Sequence, residues 1–209
     1  MKNLLLIGDS IRAGYDKSVK KTLEGKANVI FPAENCRFAS YVLRYLHEYL
    51  GDIKGEEIDV IHWNAGLWDC LRLFEEEPHT PIEVYEYYID RICNRITKLC
   101  PNAKVVFATS TTVLSEKMSK DFKRYNEEIA KYNEVAVKVV TKYGFKVNDL
   151  YSASVKLPEE AHSDPVHYYT SLGTETFTNC VLDAVLPLLG IDEPLCYLEE
   201  MYTDKPVGI

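Results

Sequence analysis

Met1-Lys2-Asn3-Leu4-Leu5-Leu6-Ile7-Gly8-Asp9-Ser10 opens the chain, and the way its apolar run ends decides how the remainder is read. Residues 4–7 are apolar and the run stops at Gly8-Asp9, too short for the hydrophobic region of a secretory signal. A brief, unbroken apolar run closed by a turn is instead the mark of a strand covered on both faces, as in a parallel sheet. Similar runs recur at 29–31, 60–63, 105–108 and 145–147, and segments of helical periodicity separate most of them. Strand and helix in alternation predict an α/β fold, a five-stranded parallel sheet with helices on both faces.

The intervening helices have legible faces. Ala39, Val42, Leu43, Leu46 and Leu50 form an i, i+3, i+4 stripe. Thr80-Pro81-Ile82-Glu83 reads as a helix start with Thr as cap, Pro at the first helical position and Glu completing a capping box. The inner face that follows is Ile82, Tyr85, Ile89, Ile92, Ile96 and Leu99. A third helix carries Ile129, Tyr132, Ala136, Val139 and Val140 and ends near Gly144; a last one starts near Thr170, buries Phe177, Val181, Leu182, Val185 and Leu188, and stops at Gly190.

With 209 residues, 46% of them hydrophobic, the chain suits one sizeable core, and a single domain is expected over 1–190. Residues 191–209, with Pro194 and Pro206, read as a C-terminal extension. A net charge of −8 and no long basic run argue against nucleic acid as a partner. No apolar stretch approaches the ~18 residues of a membrane span. The six cysteines contain no Cys-x-x-Cys pair and read as thiols of a protein of the reducing cytosol.

Residues just after a strand of an open parallel sheet face the ligand crevice, so Gly8-Asp9-Ser10 invites a chemical reading. Small Gly8 permits a sharp turn, and Ser10 presents its hydroxyl. A serine hydroxyl is a weak nucleophile that needs a base. Far along the chain, Asp164-Pro165-Val166-His167 supplies one: His167 to take the proton from Ser10, and Asp164 to hold the other ring nitrogen. Elsewhere the Gly-x-Ser-x-Gly elbow, dinucleotide and phosphate loops and His-Glu-x-x-His are missing.

Ile7-Gly8-Asp9-Ser10, Gly66-Leu67-Trp68-Asp69 and Asp164-Pro165-Val166-His167 with Gly173 resemble the first, third and fifth sequence blocks of the SGNH (GDSL-type) hydrolases, a likeness spanning residues 4 to about 190. It implies a flavodoxin-like three-layer α/β/α sandwich, a Ser10, Asp164, His167 triad, and ester or thioester hydrolysis through an acyl-serine with neither metal nor organic cofactor. It also implies an oxyanion hole built from the Ser10 backbone N–H, a second-block glycine N–H and a third-block asparagine. Here Arg37, in Asn35-Cys36-Arg37-Phe38-Ala39-Ser40, occupies the glycine position, and Trp68 the asparagine position. Asn64, two residues before Gly66, offers an alternative amide.

The expected function is a serine esterase removing a small acyl group, acetyl in particular, from a small-molecule ester such as an acylated carbohydrate. An acyltransferase using the same acyl-serine, or a noncatalytic carbohydrate-binding or interaction module with an altered oxyanion hole, stays open at this point. His162 reads as a surface or substrate-proximal residue and His62 as a core histidine. Arg12 and Arg37 are weaker candidates for binding a carboxylate near the nucleophile. Tyr41, Tyr45 and Tyr49 read as a packing edge, and Glu75-Glu76-Glu77 as a solvated loop.

Overall fold

The computed structural model describes residues 1–51 and 53–196. In chain order they form β1 (Lys2–Ile7), α1 (Ser10–Thr22), β2 (Ala27–Ile30), α2 (Ala39–Tyr45), β3 (Val60–Trp63), β4 (Arg72–Leu73) and α3 (Ile82–Leu99). Then follow β5 (Lys104–Ala108), β6 (Phe122–Lys123), α4 (Asn126–Lys142), β7 (Lys146–Asn148), α5 (Leu150–Val155) and α6 (Ser171–Leu189).

Five strands pair in parallel in the order β2-β1-β3-β5-β7. Leu4 to Ile7 are wholly buried, as a central strand with both faces covered requires. The crossovers place α1 on one face, where it packs with α6, and α2, α3 and α4 on the other, packed in succession. The chain leaves β1 toward β2 and returns to β3 on β1's other side. In open α/β sheets such a reversal, here between β1 and β3, marks the strand ends where ligands bind. Opposite Val60 and Ile61 of β3 stand Leu4 and Leu5; Ile7 is level with Trp63, so Gly8 and Asn64 leave the sheet together.

All five predicted strands are present within a residue or two. Ile129, Tyr132, Ala136, Val139 and Val140 are buried as expected. The first helical stripe keeps its burial at Val42, Leu43 and Leu46, although the regular helix stops at Tyr45 and turns continue to 51. The predicted capping box at Thr80 is not formed. Pro81 itself, extended at φ −51° and ψ 144°, is the residue before the helix, and no side chain caps it. Thr80 is buried, its backbone N–H spent on the Asp69 carbonyl at 2.9 Å. Four further elements lie outside the sequence reading: α1, α5 and the antiparallel pair of β4 and β6. Of the extension, residues 191–196 lack regular structure, and Glu193 pairs with Lys26 at 2.5 Å; residues 197–209, Pro206 among them, lie outside the described residues. No helix among the described residues is long and apolar enough to cross a membrane.

Candidate active site

Asp9 leaves β1 extended and caps α1, its Oδ1 accepting the Ile11 N–H at 3.0 Å. Ser10 is thus the first residue of a 13-residue helix, where unpaired backbone N–H groups and the positive end of the helix dipole gather. Its hydroxyl lies 2.8 Å from His167 Nε2. The other ring nitrogen, Nδ1, lies 2.9 Å and 2.8 Å from the two carboxylate oxygens of Asp164.

The Asp164 to His167 segment is irregular backbone held from several sides. Asp164 Oδ1 accepts the N–H groups of Val166 at 2.8 Å and His167 at 2.9 Å, which folds the four residues into a turn with both side chains on one side. Ser163 N–H donates to the His167 carbonyl, and Leu114 N–H to the Pro165 carbonyl, each at 2.8 Å. Burial pushes the Asp164 carboxyl upward, but the two backbone N–H groups and the imidazole outweigh it and hold it below the ordinary carboxylate range. Asp164 is therefore ionised at neutral pH and suited to stabilise an imidazolium.

Tyr169, which carried no sequence signal, completes the mounting. Its ring stacks on the His167 imidazole, centroids 4.8 Å apart at 21°, and its hydroxyl donates to the Ser10 carbonyl at 2.7 Å. Gly14 makes room for it, since a Cβ there would lie 3.0 Å from the Tyr169 ring. One side chain thus touches both His167 and Ser10.

The candidates for the oxyanion hole separate. Asn64 is buried at the end of β3 and lies against Gly8, where a Cβ would stand 1.9 Å from Asn64 Oδ1. Its amide adjoins the Asp9 carboxyl, which burial raises and the amide helps to lower. Trp68 is half-buried in the turn 67–70. Arg37 takes the left-handed conformation, φ +51°, that a glycine adopts freely. Its N–H, however, is already donated to Asn35 Oδ1 at 2.8 Å, and its guanidinium lies 5.0 Å from the Tyr41 ring centroid. Of the side-chain candidates, Asn64 is therefore the one placed directly against the Gly8-Asp9-Ser10 turn.

Arg12 does not await a ligand. It is buried, paired with Asp16, and donates to the Glu34 carbonyl at 2.6 Å. Asp69 joins the second and third sequence blocks: both of its oxygens accept the Ala39 N–H, at 3.2 Å and 3.0 Å, and burial pushes its carboxyl up to about 7. His62 is wholly buried near Asn148, and burial pushes its ring down to about 3. His162 stacks on Tyr168 at 3.9 Å. Tyr41 and Tyr45 pack ring on ring at 4.5 Å. Among the described residues, no group of three or more His, Cys, Asp or Glu has a metal-binding arrangement.

Solved structures share this fold over nearly their full length. A lipase/acylhydrolase from Enterococcus faecalis matches with a TM-score of 0.69 at 19% identity, over 88% of this chain and 95% of that one. For a protein described as a GDSL-like lipase from Parabacteroides merdae the TM-score is 0.68 at 16% identity, over 91% and 96%. The fold is that of the SGNH (GDSL-type) hydrolases. An acetyl xylan esterase, AlAXEase, shares this SGNH fold with a TM-score of 0.69 at 15% identity, over 88% of this chain and 99% of its own. No family model and no curated protein matches the sequence.

Proposed function

We propose that the protein is a serine esterase that removes a small acyl group, acetyl foremost, from a polar small-molecule ester such as an acetylated carbohydrate. The observation that carries this reading is the unbroken relay from Ser10 Oγ through His167 Nε2 and Nδ1 to the Asp164 carboxylate. His167 takes the hydroxyl proton as Ser10 Oγ attacks the ester carbonyl, giving a tetrahedral oxyanion. Donors for that oxyanion are the Ser10 N–H and the Asn64 amide, with the α1 N-terminus adding its dipole. His167 then protonates the departing alcohol, and water, activated in turn by His167, releases the acid from the acyl-serine. No metal enters these steps.

The acyl-group assignment rests on the enclosed nucleophile, with Ser10 and His167 both buried, and on the same SGNH fold in an acetyl xylan esterase. Cysteines 36, 70, 93, 100, 180 and 196 are all free, which suits a reducing compartment such as the cytosol. Hydrolysis of p-nitrophenyl acetate and of acetylated xylo-oligosaccharide tests the reading. The wild type is expected to turn over both, with acetyl esters far ahead of long-chain ones, and Ser10→Ala to lose ~10⁴-fold or more in kcat. Turnover that survives in Ser10→Ala would remove Ser10 as nucleophile, and a preference for long chains would remove the acetyl assignment.

A further inference from the structure

His167 is held by hydrogen bonds at two atoms, Nδ1 by the Asp164 carboxylate and Nε2 by the Ser10 hydroxyl. Both bonds lie along one line across the imidazole, so they oppose rotation of the ring about that line only weakly. The Nε2 bond is also the one that the proposed reaction removes, because an acylated Ser10 has no hydroxyl proton. From then until the acyl group leaves, Asp164 alone grips the ring.

A third constraint comes from Tyr169. Its buried ring lies on the face of the imidazole, centroids 4.8 Å apart at 21°, within the range of offset stacking. The phenol donates to the Ser10 carbonyl at 2.7 Å, and burial pushes its pKa up, which keeps it a donor. This bond is to backbone, so it outlasts acylation of the Ser10 side chain. Gly14 follows Ser10 by one turn on the same face of α1, and a Cβ there would lie 3.0 Å and 3.1 Å from Tyr169 Cε1 and Cδ1. Glycine inside a helix is unfavourable, so its presence here fits the need for the ring's space. Ser163 closes the backbone on the other side: its Oγ accepts the Tyr169 N–H at 3.1 Å and donates to the His167 carbonyl at 3.2 Å. Tyr168, between the two, turns away and packs against His162 and Phe177.

We propose that Tyr169 is a positioning residue for the esterase reaction: its ring fixes the plane of the His167 imidazole, and its hydroxyl ties that ring to the first turn of α1, so that His167 stays aimed through both proton transfers. The inference rests on the esterase reading above. A side chain that aims the base without touching the substrate acts on proton transfer and hardly on substrate binding, so its loss lowers kcat and leaves KM nearly unchanged. A side chain that only packed the loop would lower the melting temperature and leave the kcat of folded protein as it was.

Two variants divide the side chain: Tyr169→Phe keeps the ring, and Tyr169→Leu keeps neither ring nor hydroxyl. With p-nitrophenyl acetate, the Leu variant is expected to lose about 10- to 100-fold in kcat, the order of a small misplacement, with KM within about twofold. The Phe variant is expected to lose no more than about fivefold, and the rate of fluorophosphonate labelling to fall in the same order. Melting curves establish that each is folded. Should the Leu variant not fold, Gly14→Ala decides: its methyl presses on the ring from α1 and is expected to lower kcat about 3- to 10-fold at unchanged KM. Wild-type kcat in the Leu variant or in the Gly14→Ala variant that replaces it, a loss confined to KM, or a Phe variant as impaired as Leu would overturn the inference. An active wild type with unaffected variants removes only this inference, whereas a folded wild type inert to both ester and fluorophosphonate removes the esterase reading and the inference together.

Discussion

Gly8 supplies space at the turn after β1: its φ lies outside the left-handed region, so its contribution is the missing side chain rather than conformational freedom. The Asn64 amide passes so close that a Cβ would overlap Oδ1 at 1.9 Å and crowd Arg12 Cβ at 2.8 Å. Gly8→Ala is therefore expected to displace Asn64 and cost about 10²-fold in kcat, the scale of one lost oxyanion donor, in a protein that still folds. Adding Asn64→Ala to it is expected to restore thermal stability without restoring kcat. A Gly8→Ala enzyme with wild-type kcat would show that Asn64 contributes nothing to the site. Tyr169 is a residue whose place no local pattern announces, because its two partners, Ser10 and His167, come from opposite ends of the chain.

At the scale of elements, what was legible followed from strong local physics. The five parallel strands are short apolar runs bounded by turns, and α6 starts at Thr170 and ends at left-handed Gly190, as the cap chemistry predicts. The Thr170 hydroxyl accepts the Gly173 N–H at 3.1 Å and itself donates to the Ala161 carbonyl at 2.8 Å, so it joins the helix to the loop carrying His167. Thr170→Ala is expected to cost ~1 kcal/mol, read as a lower urea midpoint at unchanged slope. A midpoint equal to the wild type's would show that the cap is dispensable. What was not legible depends on tertiary partners. The Thr80 capping box loses to Asp69, which draws Thr80 into the core, and β4 and β6, two residues each, have no periodicity to read. Ser10, Asp164 and His167, which the fold brings into hydrogen-bond contact, could be picked out as candidates because their blocks are local motifs, whereas the engaged N–H of Arg37 and the closeness of Asn64 to Gly8 exist only in three dimensions.

For the whole molecule, the reversal of strand order between β1 and β3 places Ser10 and the Asn64 amide together, and the irregular segment before α6 brings His167 across 157 residues to meet Ser10. The same core carries opposed pH dependences. Asp69 stays protonated in the fold up to about pH 7, while in the unfolded chain it ionises near 4. Its contribution to stability is full below ~4 and is lost as pH rises to about 7, and Asp9, also raised by burial, acts in the same direction. His62 works the other way: neutral in the fold down to about 3 but charged when unfolded below about 6.5, it withdraws stability as pH falls. Asp69→Asn is therefore expected to make the unfolding free energy, read from urea melts, climb more steeply between about pH 4 and 6.5 than in the wild type, by at most ~1.4 kcal/mol per pH unit for the one proton removed. Parallel profiles would contradict the burial of a proton at Asp69. Intact-mass spectrometry after exposure to a fluorophosphonate, followed by peptide mapping, tests whether Ser10 is an activated nucleophile. A single adduct on Ser10 is expected, absent in Ser10→Ala and slowed at least ~10³-fold in His167→Ala; a folded wild type that gains no mass, or an adduct on any other residue, would rule out Ser10 as the activated group.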